Sequence, residues 1–464
     1  MKKLFILLAT GLLTVGCSDF FDRKGDDNTI PASRFYGDEG AFLSALTDIY
    51  TQLRAETLYG GTLNMTMMNF LSHEFQPRSA TEKAAYDRNY SNTALKEQLH
   101  SMTKAAYKAV TSCNKIIEEA ENTDIVFFNP GQREVVLGEC YALRAAVQFD
   151  LLRLYHPLPT KDNNFIGLPY ITKFAQKKAP KLTTAQFMEA IKADLLKAEK
   201  LLSSSDPILK SSNSSLVAVG RLDRRLRTLQ LNYYAVKAIQ ARVALWSGDY
   251  QAALQCAEAV FAHNRNVDSR HQLFYYVTPG TYGSDYEFSR EYIFGLATRP
   301  EGFTKLCDQR NKDGLTVTER LHAIYPNPAD IRYRAWFKAT DNQQYSLTKF
   351  GSETLLSGYV YSQMGVETGL PATIPYIKIG EVALIAAESL TQLNRFDEAI
   401  TYIKALEESK NIDNATLLQS EGQVSKDTLL KLIHAEYERD LFGEGQLFYL
   451  YKRLGQAESP SLPE

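Results

Sequence analysis

The stretch LRTLQLNYYAVKAIQARVALWSGDYQAALQCAEAVFAH, residues 226–263, decides the fold of this chain. Small residues recur at three-residue spacing along one face of its first predicted helix. They are Ala235, Ala238, Ala241 and Ala244. The turn at residues 247–249, Ser-Gly-Asp, ends that helix, and a second helix is predicted to begin at Tyr250. Because small side chains allow two helix axes to approach closely, the stretch predicts a helical hairpin.

The turn of this hairpin is typical of a known repeat. Gly-Asp-Tyr followed by Ala252 and Ala253 matches the pattern of tetratricopeptide repeats. One such repeat cannot bury its apolar face alone and needs neighbours. A second copy, IGEVALIAAESLTQLNRFDEAITYIKAL, occupies residues 379–406 with its turn at 394–397. We therefore expect a mainly α fold, in which tetratricopeptide-like hairpins form a solenoid-like scaffold.

Apolar periodicity predicts further helices on either side of these repeats. They cover residues 40–54, 95–120, 131–155, 183–202 and 429–454, the last interrupted at 443–445. Between the two repeats, residues 264–375 hold clustered tyrosines, many Gly and Pro, and short β-like runs such as 291–297. We interpret this region as a loop-rich lobe. Residues 55–93 also break the helical pattern, and long ordered loops are often functional.

The first 17 residues, MKKLFILLATGLLTVGC, have a basic start and an apolar run too short to span a bilayer. They predict an export signal. Its Gly-Cys end is similar to a bacterial lipoprotein signal, which predicts cleavage before Cys17 and lipidation of its thiol; a plain secretory signal is the alternative. We expect a polar tether at 18–32 and one domain at 33–464, with its ligand-binding lobe at about 264–375. No later apolar segment is long enough to cross a membrane, so anchoring through lipid is expected.

Composition excludes two broad classes of protein. The chain has 464 residues, 44% of them hydrophobic and 23% charged, which is typical of a globular protein and not of a disordered one. Its formal net charge of -2 and pI near 6.4 provide no basic surface for nucleic acid. We therefore expect no nucleic-acid partner.

The cysteines beyond the signal predict neither a disulfide framework nor a metal site. Cys113, Cys140, Cys256 and Cys307 form no CxxC pair and have no histidine at metal-ligand spacing. Small buried apolar positions are the expected role. His434 and Glu438 are four residues apart, but no third ligand follows them. We expect neither a metal ion nor another cofactor.

Enzyme motifs are also missing from the sequence. Two carboxylates on opposite sides of a sugar linkage would suggest a glycosidase. Glu381 and Glu388 share a helical face and could meet Arg439, but a structural ion pair is the favoured interpretation. No P-loop, GxGxxG or GxSxG pattern occurs. We therefore predict no catalytic residues.

Several segments, taken in order, resemble the SusD/RagB family of surface-exposed outer-membrane lipoproteins. The matching stretches include SCNKIIEEAE, GECYALRAAVQFDLLRLYHPLP, LTTAQFMEAIKADL, AIQARVALWSGDYQAALQCAEAVF, SREYIFGL, DIRYRAWF, IPYIKIGEVALIAAESL and IHAEYERDLFGEGQLFYLYKRLG, and they cover essentially the whole mature chain. The chain departs from the family pattern at 377–382, at 437–441 and after Phe448, where the usual aspartate is Tyr449.

The resemblance implies a scaffold of about four hairpins with a loop-rich ligand-binding face. It also implies a function without chemistry: a lipid-anchored protein at the outer membrane captures oligosaccharides, or peptides in some branches. A SusC-like TonB-dependent transporter would be its partner. A helical protein-protein scaffold and, less favoured, a surface glycoside hydrolase are the alternatives.

Aromatic side chains on loops are the candidate ligand contacts, because tyrosine rings stack on the apolar faces of sugars while their hydroxyls bond sugar hydroxyls. Trp246 is expected in the core, and Trp336 in the core or at an interface. The predicted contacts lie in two segments. They are Tyr275, Tyr276, Tyr282 and Tyr286 in the lobe, and Tyr59, Asn64, Asn69, His73 and Arg78 in the first irregular segment.

Overall fold

A computed structural model describes residues 35–176, 178–210, 227–265, 272–298, 315–316, 318–340, 344–350 and 372–456. These residues form two compact units. The first unit comprises the described residues up to 53, together with 96–210 and 231–236. The second comprises 54–95, 227–230 and the described residues from 237 onwards. The single domain expected at 33–464 stays a prediction, and the signal and tether at 1–32 lie outside the described residues.

The described part of the chain is mostly helical, as predicted. Its α-helices are α1 (Glu39–Leu53), α2 (Met67–Leu71), α3 (Ala80–Tyr86), α4 (Thr93–Asn122), α5 (Gln132–Tyr155), α6 (Thr184–Ser205), α7 (Tyr233–Trp246), α8 (Tyr250–Arg265), α9 (Thr318–Ile324), α10 (Ile331–Trp336), α11 (Ile379–Gln392), α12 (Phe396–Ser409), α13 (Asn414–Ser420), α14 (Lys426–Leu441) and α15 (Leu447–Leu454).

Short antiparallel strands supplement the helices. They are β1 (Ile166–Pro169), β2 (Lys181–Thr183), β3 (Tyr292–Thr298), β4 (Leu315–Thr316), β5 (Phe337–Ala339), β6 (Tyr345–Leu347) and β7 (Ala372–Lys378). β1 pairs with β2, β3 pairs with β7, and the remaining three form a sheet in the order β4, β6, β5. The β-like run predicted at 291–297 is therefore confirmed as β3.

The first hairpin, α7 and α8, has the predicted turn. Ala235, Ala238 and Ala241 are completely buried, which confirms that this face is packed. Gly248 adopts a left-handed φ of 76°, as a sharp turn after a helix requires. Asp249 then accepts a hydrogen bond from Ala252 N at 3.1 Å and so caps the start of α8.

The second hairpin, α11 and α12, lies at the centre of the second unit. Helix α11 is buried from Ile379 to Thr391 and packs against α8, α12 and α14. Asn394, at φ 60°, turns the chain, and Arg395 N bonds Leu390 O at 2.8 Å. Apolar and small residues make up most of this buried helix, and its two buried carboxylates, Glu381 and Glu388, are paired with arginines.

In the first unit, α5 packs along α6. Gly138 permits the close approach, because a Cβ atom there would lie 2.6 Å from Leu202 Cγ. Arg144 and Asp194 link the two helices through a buried bidentate ion pair, with N–O distances of 2.7 and 2.6 Å. Thr183 forms a capping box with Gln186 at the start of α6.

The core predictions for Trp and Cys largely hold. Trp246 and Trp336 are buried, as are Cys113 and Cys140. Cys256 is only half-buried, and Cys307 lies outside the described residues. None of the described helices combines the length and the apolar character that crossing a bilayer requires.

Candidate functional site

The beginning of the first irregular segment, with Tyr59 and Asn64, is packed into the core of the second unit. Tyr59 is only 3% exposed, and its ring packs edge-on against Tyr376 of β7 at 5.3 Å. Asn64 is also buried, and its Nδ2 donates to Pro375 O at 2.8 Å. These two side chains thus pack the irregular segment against β7, and both are engaged in contacts within the protein.

Asn69 fastens the same segment to the break between α14 and α15. Its Nδ2 donates to Gly443 O at 3.3 Å, while Gly443 N donates to Glu74 Oε2 at 2.5 Å. Gly445, at φ 70°, lies so close to Leu63 that a Cβ atom would stand 2.2 Å from its carbonyl oxygen. The glycine interruption predicted at 443–445 is therefore the place where the two segments meet.

His73 and Arg78 lie nearer the surface. His73 is half-buried, its Nε2 is 2.8 Å from Tyr86 O, and its ring stacks on that of Tyr86 at 4.1 Å. Arg320 Nη2 donates to Ser72 O at 2.9 Å and holds the adjoining backbone. Arg78 is exposed, just before the capping box that begins α3. Of the five candidates in this segment, Arg78 is the one that is open to solvent.

The second predicted segment, around Tyr275 and Tyr276, is held by a buried ion pair. Lys410, at the end of α12, forms an ion pair with Glu291, and both side chains are fully buried. Glu291 Oε1 also accepts a hydrogen bond from Val277 N at 2.8 Å. Lys410 Nζ lies 5.4 Å from the ring centre of Tyr276, and burial, together with Glu291, raises the pKa of that tyrosine well above 10.

Tyr282 and Tyr286 form a partly exposed pair at the edge of this segment. Their rings meet edge to face with centroids 6.1 Å apart. Both are half-buried, in contrast to Tyr59. Trp336 Nε1 donates to Tyr286 O at 3.0 Å, so α10 fixes the backbone beneath the pair. The structure therefore brings two of the nine predicted contacts together with open ring surface.

Trp336 itself belongs to a buried charged cluster that the sequence analysis did not predict. Lys349 Nζ lies 3.5 Å from its ring centre and 2.5 Å from Glu444 Oε1. Lys378 Nζ is 2.7 Å from the same carboxylate oxygen. Burial lowers the pKa of Lys349 to about 8, although Glu444 opposes that change. Because Trp336 is fully buried, it serves packing and cation–π contact and is not open to a ligand.

A second aromatic surface was also missed. His322, Tyr333 and Tyr345 come from α9, α10 and β6, and their ring centres lie 5.9 to 6.3 Å apart. Tyr333 hydroxyl donates to Tyr345 hydroxyl at 3.0 Å. The sequence indicates this cluster only weakly, because its three residues lie in three separate segments. Only the fold brings their rings together.

The carboxylates considered for glycosidase chemistry are held in ion pairs. Glu381 makes a bidentate pair with Arg242 at 2.7 and 2.6 Å, and Glu388 pairs with Arg453, with one contact at 2.7 Å. The suggested contact of both with Arg439 is wrong, because Arg439 pairs with Glu436, next to it on α14, at 2.5 Å. Both carboxylates are buried and engaged in structural contacts.

No cluster suited to a metal ion occurs among the described side chains. His434 Nε2 lies 3.9 Å from Glu388 Oε1, at the edge of the Glu388–Arg453 pair. Although burial opposes it, Arg453 with His434 lowers the pKa of Glu388 to about 2. This histidine therefore belongs to an ion-pair network within the helices.

Sequence comparison finds two family descriptions on successive parts of the chain. A sequence model described as "SusD family" matches residues 254–459, and one described as "Starch-binding associating with outer membrane" matches residues 19–224. A SusD-like protein of Bacteroides ovatus is 25% identical over 165 residues, which are 35% of this chain. The matched region spans 29% of the length of that relative.

Solved structures share the fold over most of the chain. A SusD superfamily protein from Bacteroides thetaiotaomicron has a TM-score of 0.68 at 19% identity, covering 90% of this chain and 89% of its own. One from Bacteroides vulgatus gives 0.69 at 18%, with the same coverage. A structure titled SusD-like carbohydrate binding protein, also from B. vulgatus, gives 0.66 at 16%, covering 91% and 84%. With both halves of the sequence and the helical fold matched, the chain belongs to the SusD/RagB family.

Proposed function

We propose that this protein is a non-catalytic glycan-binding lipoprotein of the outer membrane, which captures oligosaccharides and passes them to a SusC-like TonB-dependent transporter. Family membership supports the general class, since one matching family is described as starch-binding and associated with the outer membrane. The carbohydrate-binding title of a structural relative points the same way. Peptides are the alternative ligand.

The observation that carries the proposal is the Tyr282–Tyr286 pair. Two edge-to-face rings with open surface, 6.1 Å apart between centroids, offer apolar area to a sugar ring together with two hydroxyls. The backbone is held by Trp336, so little ordering entropy is lost on binding. Two other candidates retain exposed surface: Tyr275, which is close to the pair in sequence, and Arg78 of the first segment. Tyr276, Tyr59, Asn64, Asn69 and His73 support the two segments from within or beside them.

Binding should be tested on a panel of soluble polysaccharides that includes amylopectin, dextran, inulin and xylan, with a casein hydrolysate for peptides. Titration calorimetry would give the affinity of wild type and of Tyr282→Ala and Tyr286→Ala. We expect each substitution to weaken binding by about 1–3 kcal/mol, the range known for stacking of aromatic rings on bases. Phe128→Ala is the matched control, because Phe128 is an 89% exposed ring in the other unit. Undiminished affinity in both tyrosine variants would place the site elsewhere.

Two further experiments address anchoring and catalysis. Cys17→Ala should release the protein from the outer membrane into the soluble fraction, and retention in the membrane would argue against lipidation. A turnover assay on the same polysaccharides should show no product, since the two carboxylates considered for catalysis, Glu381 and Glu388, are committed to arginine pairs. A transporter gene beside this one would favour the transport role over a protein-protein scaffold.

A further inference from the structure

The aromatic cluster of His322, Tyr333 and Tyr345 is, like the Tyr282–Tyr286 pair of the same unit, partly open to solvent. His322 is exposed, and the two tyrosines are half-buried. The three pairs of ring centres are 5.9, 5.9 and 6.3 Å apart, so the rings form a nearly equilateral triangle. They come from three different elements, α9, α10 and β6, so their meeting is a product of the fold and not of local sequence.

Buried rings support this triangle from below. Tyr333 packs on Tyr325 at 6.2 Å and stacks on Phe337 at 6.3 Å. Phe337 in turn contacts Phe442 at 5.3 Å. The Tyr325 hydroxyl donates to Arg439 O at 2.7 Å, which fixes the floor to α14. The surface rings are therefore held in place before any ligand arrives, which lowers the entropic cost of binding.

The polar groups of the triangle suit a neutral, hydroxyl-rich ligand. Tyr333 donates its hydroxyl hydrogen to the Tyr345 oxygen at 3.0 Å, and the hydrogen of Tyr345 has no acceptor among the described residues. His322 Nε2 lies 3.5 Å from the Tyr333 oxygen. Of the two arginines next to Tyr333, Arg332 is fully buried against Asp330 and Glu436, and the exposed Arg334 donates through its Nε to Pro328 O at 3.0 Å. The surface thus offers ring faces and a hydroxyl donor.

The Tyr282–Tyr286 pair is fixed to the same short helix. Trp336, which bonds Tyr286 O at 3.0 Å, follows Tyr333 by three residues, a little under one turn of α10. The turn that contains Tyr282 also contacts α10. Both ring clusters therefore contact the six-residue helix α10, although His322 and Tyr345 lie on α9 and β6, and this shared contact favours their use by a single extended ligand.

We propose that His322, Tyr333 and Tyr345 form a second saccharide-binding platform, which engages another sugar unit of the same glycan chain that the Tyr282–Tyr286 pair contacts. This inference rests on the proposed function. Sugar rings stack on the tyrosine faces, and the Tyr345 hydroxyl donates to a sugar oxygen. Two contacts on one chain act together, because the second contact forms at high effective concentration once the first has been made. Long glycans should consequently bind much more tightly than single sugars.

The test uses the polysaccharide panel given above, with the full-length chain lacking only its signal and lipid anchor. Tyr345→Ala and His322→Ala should each weaken binding by about tenfold to the polysaccharide that wild type binds, as expected for the loss of one stacked ring. Tyr345→Phe keeps the ring and should lose less affinity than Tyr345→Ala. Phe128→Ala serves again as the control for an exposed ring outside the platform.

The outcomes separate the two proposals. If Tyr282→Ala weakens binding but Tyr345→Ala and His322→Ala do not, the second platform is refuted and the proposed function stands. If wild type binds no member of the panel, the proposed function and the platform both fail. In addition, a hexasaccharide of the polysaccharide that wild type binds should bind at least tenfold more tightly than the corresponding monosaccharide. Equal affinities would refute the proposal that both ring clusters contact one glycan chain.

Discussion

The α11–α12 hairpin and the tyrosine segment at 272–298 belong to the same compact unit, yet they are stabilised differently. The hairpin buries apolar and small side chains along its whole length, and two of the carboxylates that it also buries, Glu381 and Glu388, are paired with arginines of α7 and α15. The tyrosine segment is not part of a long helix, and it is held to the end of α12 by a fully buried ion pair, Lys410 with Glu291. A local apolar pattern thus forms the hairpin, which distant ion pairs reinforce, whereas the segment with the candidate ligand contacts lacks that pattern and is held by a distant ion pair.

The largest effect should follow from breaking that buried ion pair. Lys410→Met leaves the Glu291 carboxylate buried without its cation, which should lower the free energy of unfolding by about 3–5 kcal/mol. Glu291 also holds the backbone of Val277 at 2.8 Å, so the tyrosine segment should loosen first. Chemical denaturation would give the energy, and hydrogen exchange at residues 272–298 the location.

The double variant Lys410→Met with Glu291→Gln is the matched control. It removes the uncompensated charge, so a large part of the lost stability should return. A single variant as stable as wild type, or a double variant no better than the single one, would show that the ion pair does not hold this segment.

The next effect is a pH dependence inside the helices. The pKa of Glu388 is lowered from 4.5 to about 2, because Arg453 outweighs the effect of burial. A carboxyl group whose pKa is lower in the folded state contributes stability that is present above pH 4.5 and is lost as the pH falls through 2. The difference amounts to about 3 kcal/mol at most.

Melting curves between pH 6 and pH 2 would measure this contribution. Glu388→Gln should be less stable than wild type at pH 6 and should lose less stability on acidification. Glu398→Gln, which removes an exposed carboxylate beside Arg395, should follow the wild-type curve. If Glu388→Gln and wild type lost the same stability on acidification, the lowered pKa of Glu388 would not be a source of stability.

A smaller effect is expected from overpacking the first hairpin. Ala241 is fully buried on the alanine face of α7, so Ala241→Leu should cost roughly 1–3 kcal/mol by forcing its neighbours apart. Ala262→Leu is the control, because Ala262 of α8 is exposed. The two melting temperatures should differ clearly, and equal values would mean that the alanine face is not closely packed.

These differences explain what could be predicted from the sequence. Helices α7, α8, α11 and α12 were predictable because their small and apolar residues recur at helical spacing within a short window. Lys410 and Glu291 were not, since they are 119 residues apart and a lone charged residue has no periodicity. The Asn69 and Glu74 contacts with Gly443 escaped prediction for the same reason, as they link residues 374 and 369 positions apart.

The candidate site was predicted less well than the fold because tyrosine serves both core and surface. Sequence clustering selected Tyr59 and Tyr282 alike, although only the fold determines which ring remains open. It also passed over Tyr333 and Tyr345, which are twelve residues apart and meet through β6. Aromatic content alone therefore selected candidate regions without separating exposed rings from packed ones.

The smallest stability effect should come from Tyr282→Ala, and its comparison with Tyr59→Ala tests that separation directly. Tyr59 is 3% exposed against Tyr376, so its truncation leaves a cavity and should cost about 3–5 kcal/mol, the range for large buried rings. Tyr282 is half-buried at the edge of its pair, so its truncation should cost under about 1 kcal/mol, as for most surface substitutions. The affinity for the polysaccharide that wild type binds should show the opposite order. It should fall for Tyr282→Ala, whereas the folded fraction of Tyr59→Ala should still bind. Thermal unfolding and calorimetry on the same two proteins would measure both quantities. If Tyr282→Ala proved as unstable as Tyr59→Ala, its ring would be part of the core, and the candidate site would have to be sought on the platform of His322, Tyr333 and Tyr345 alone.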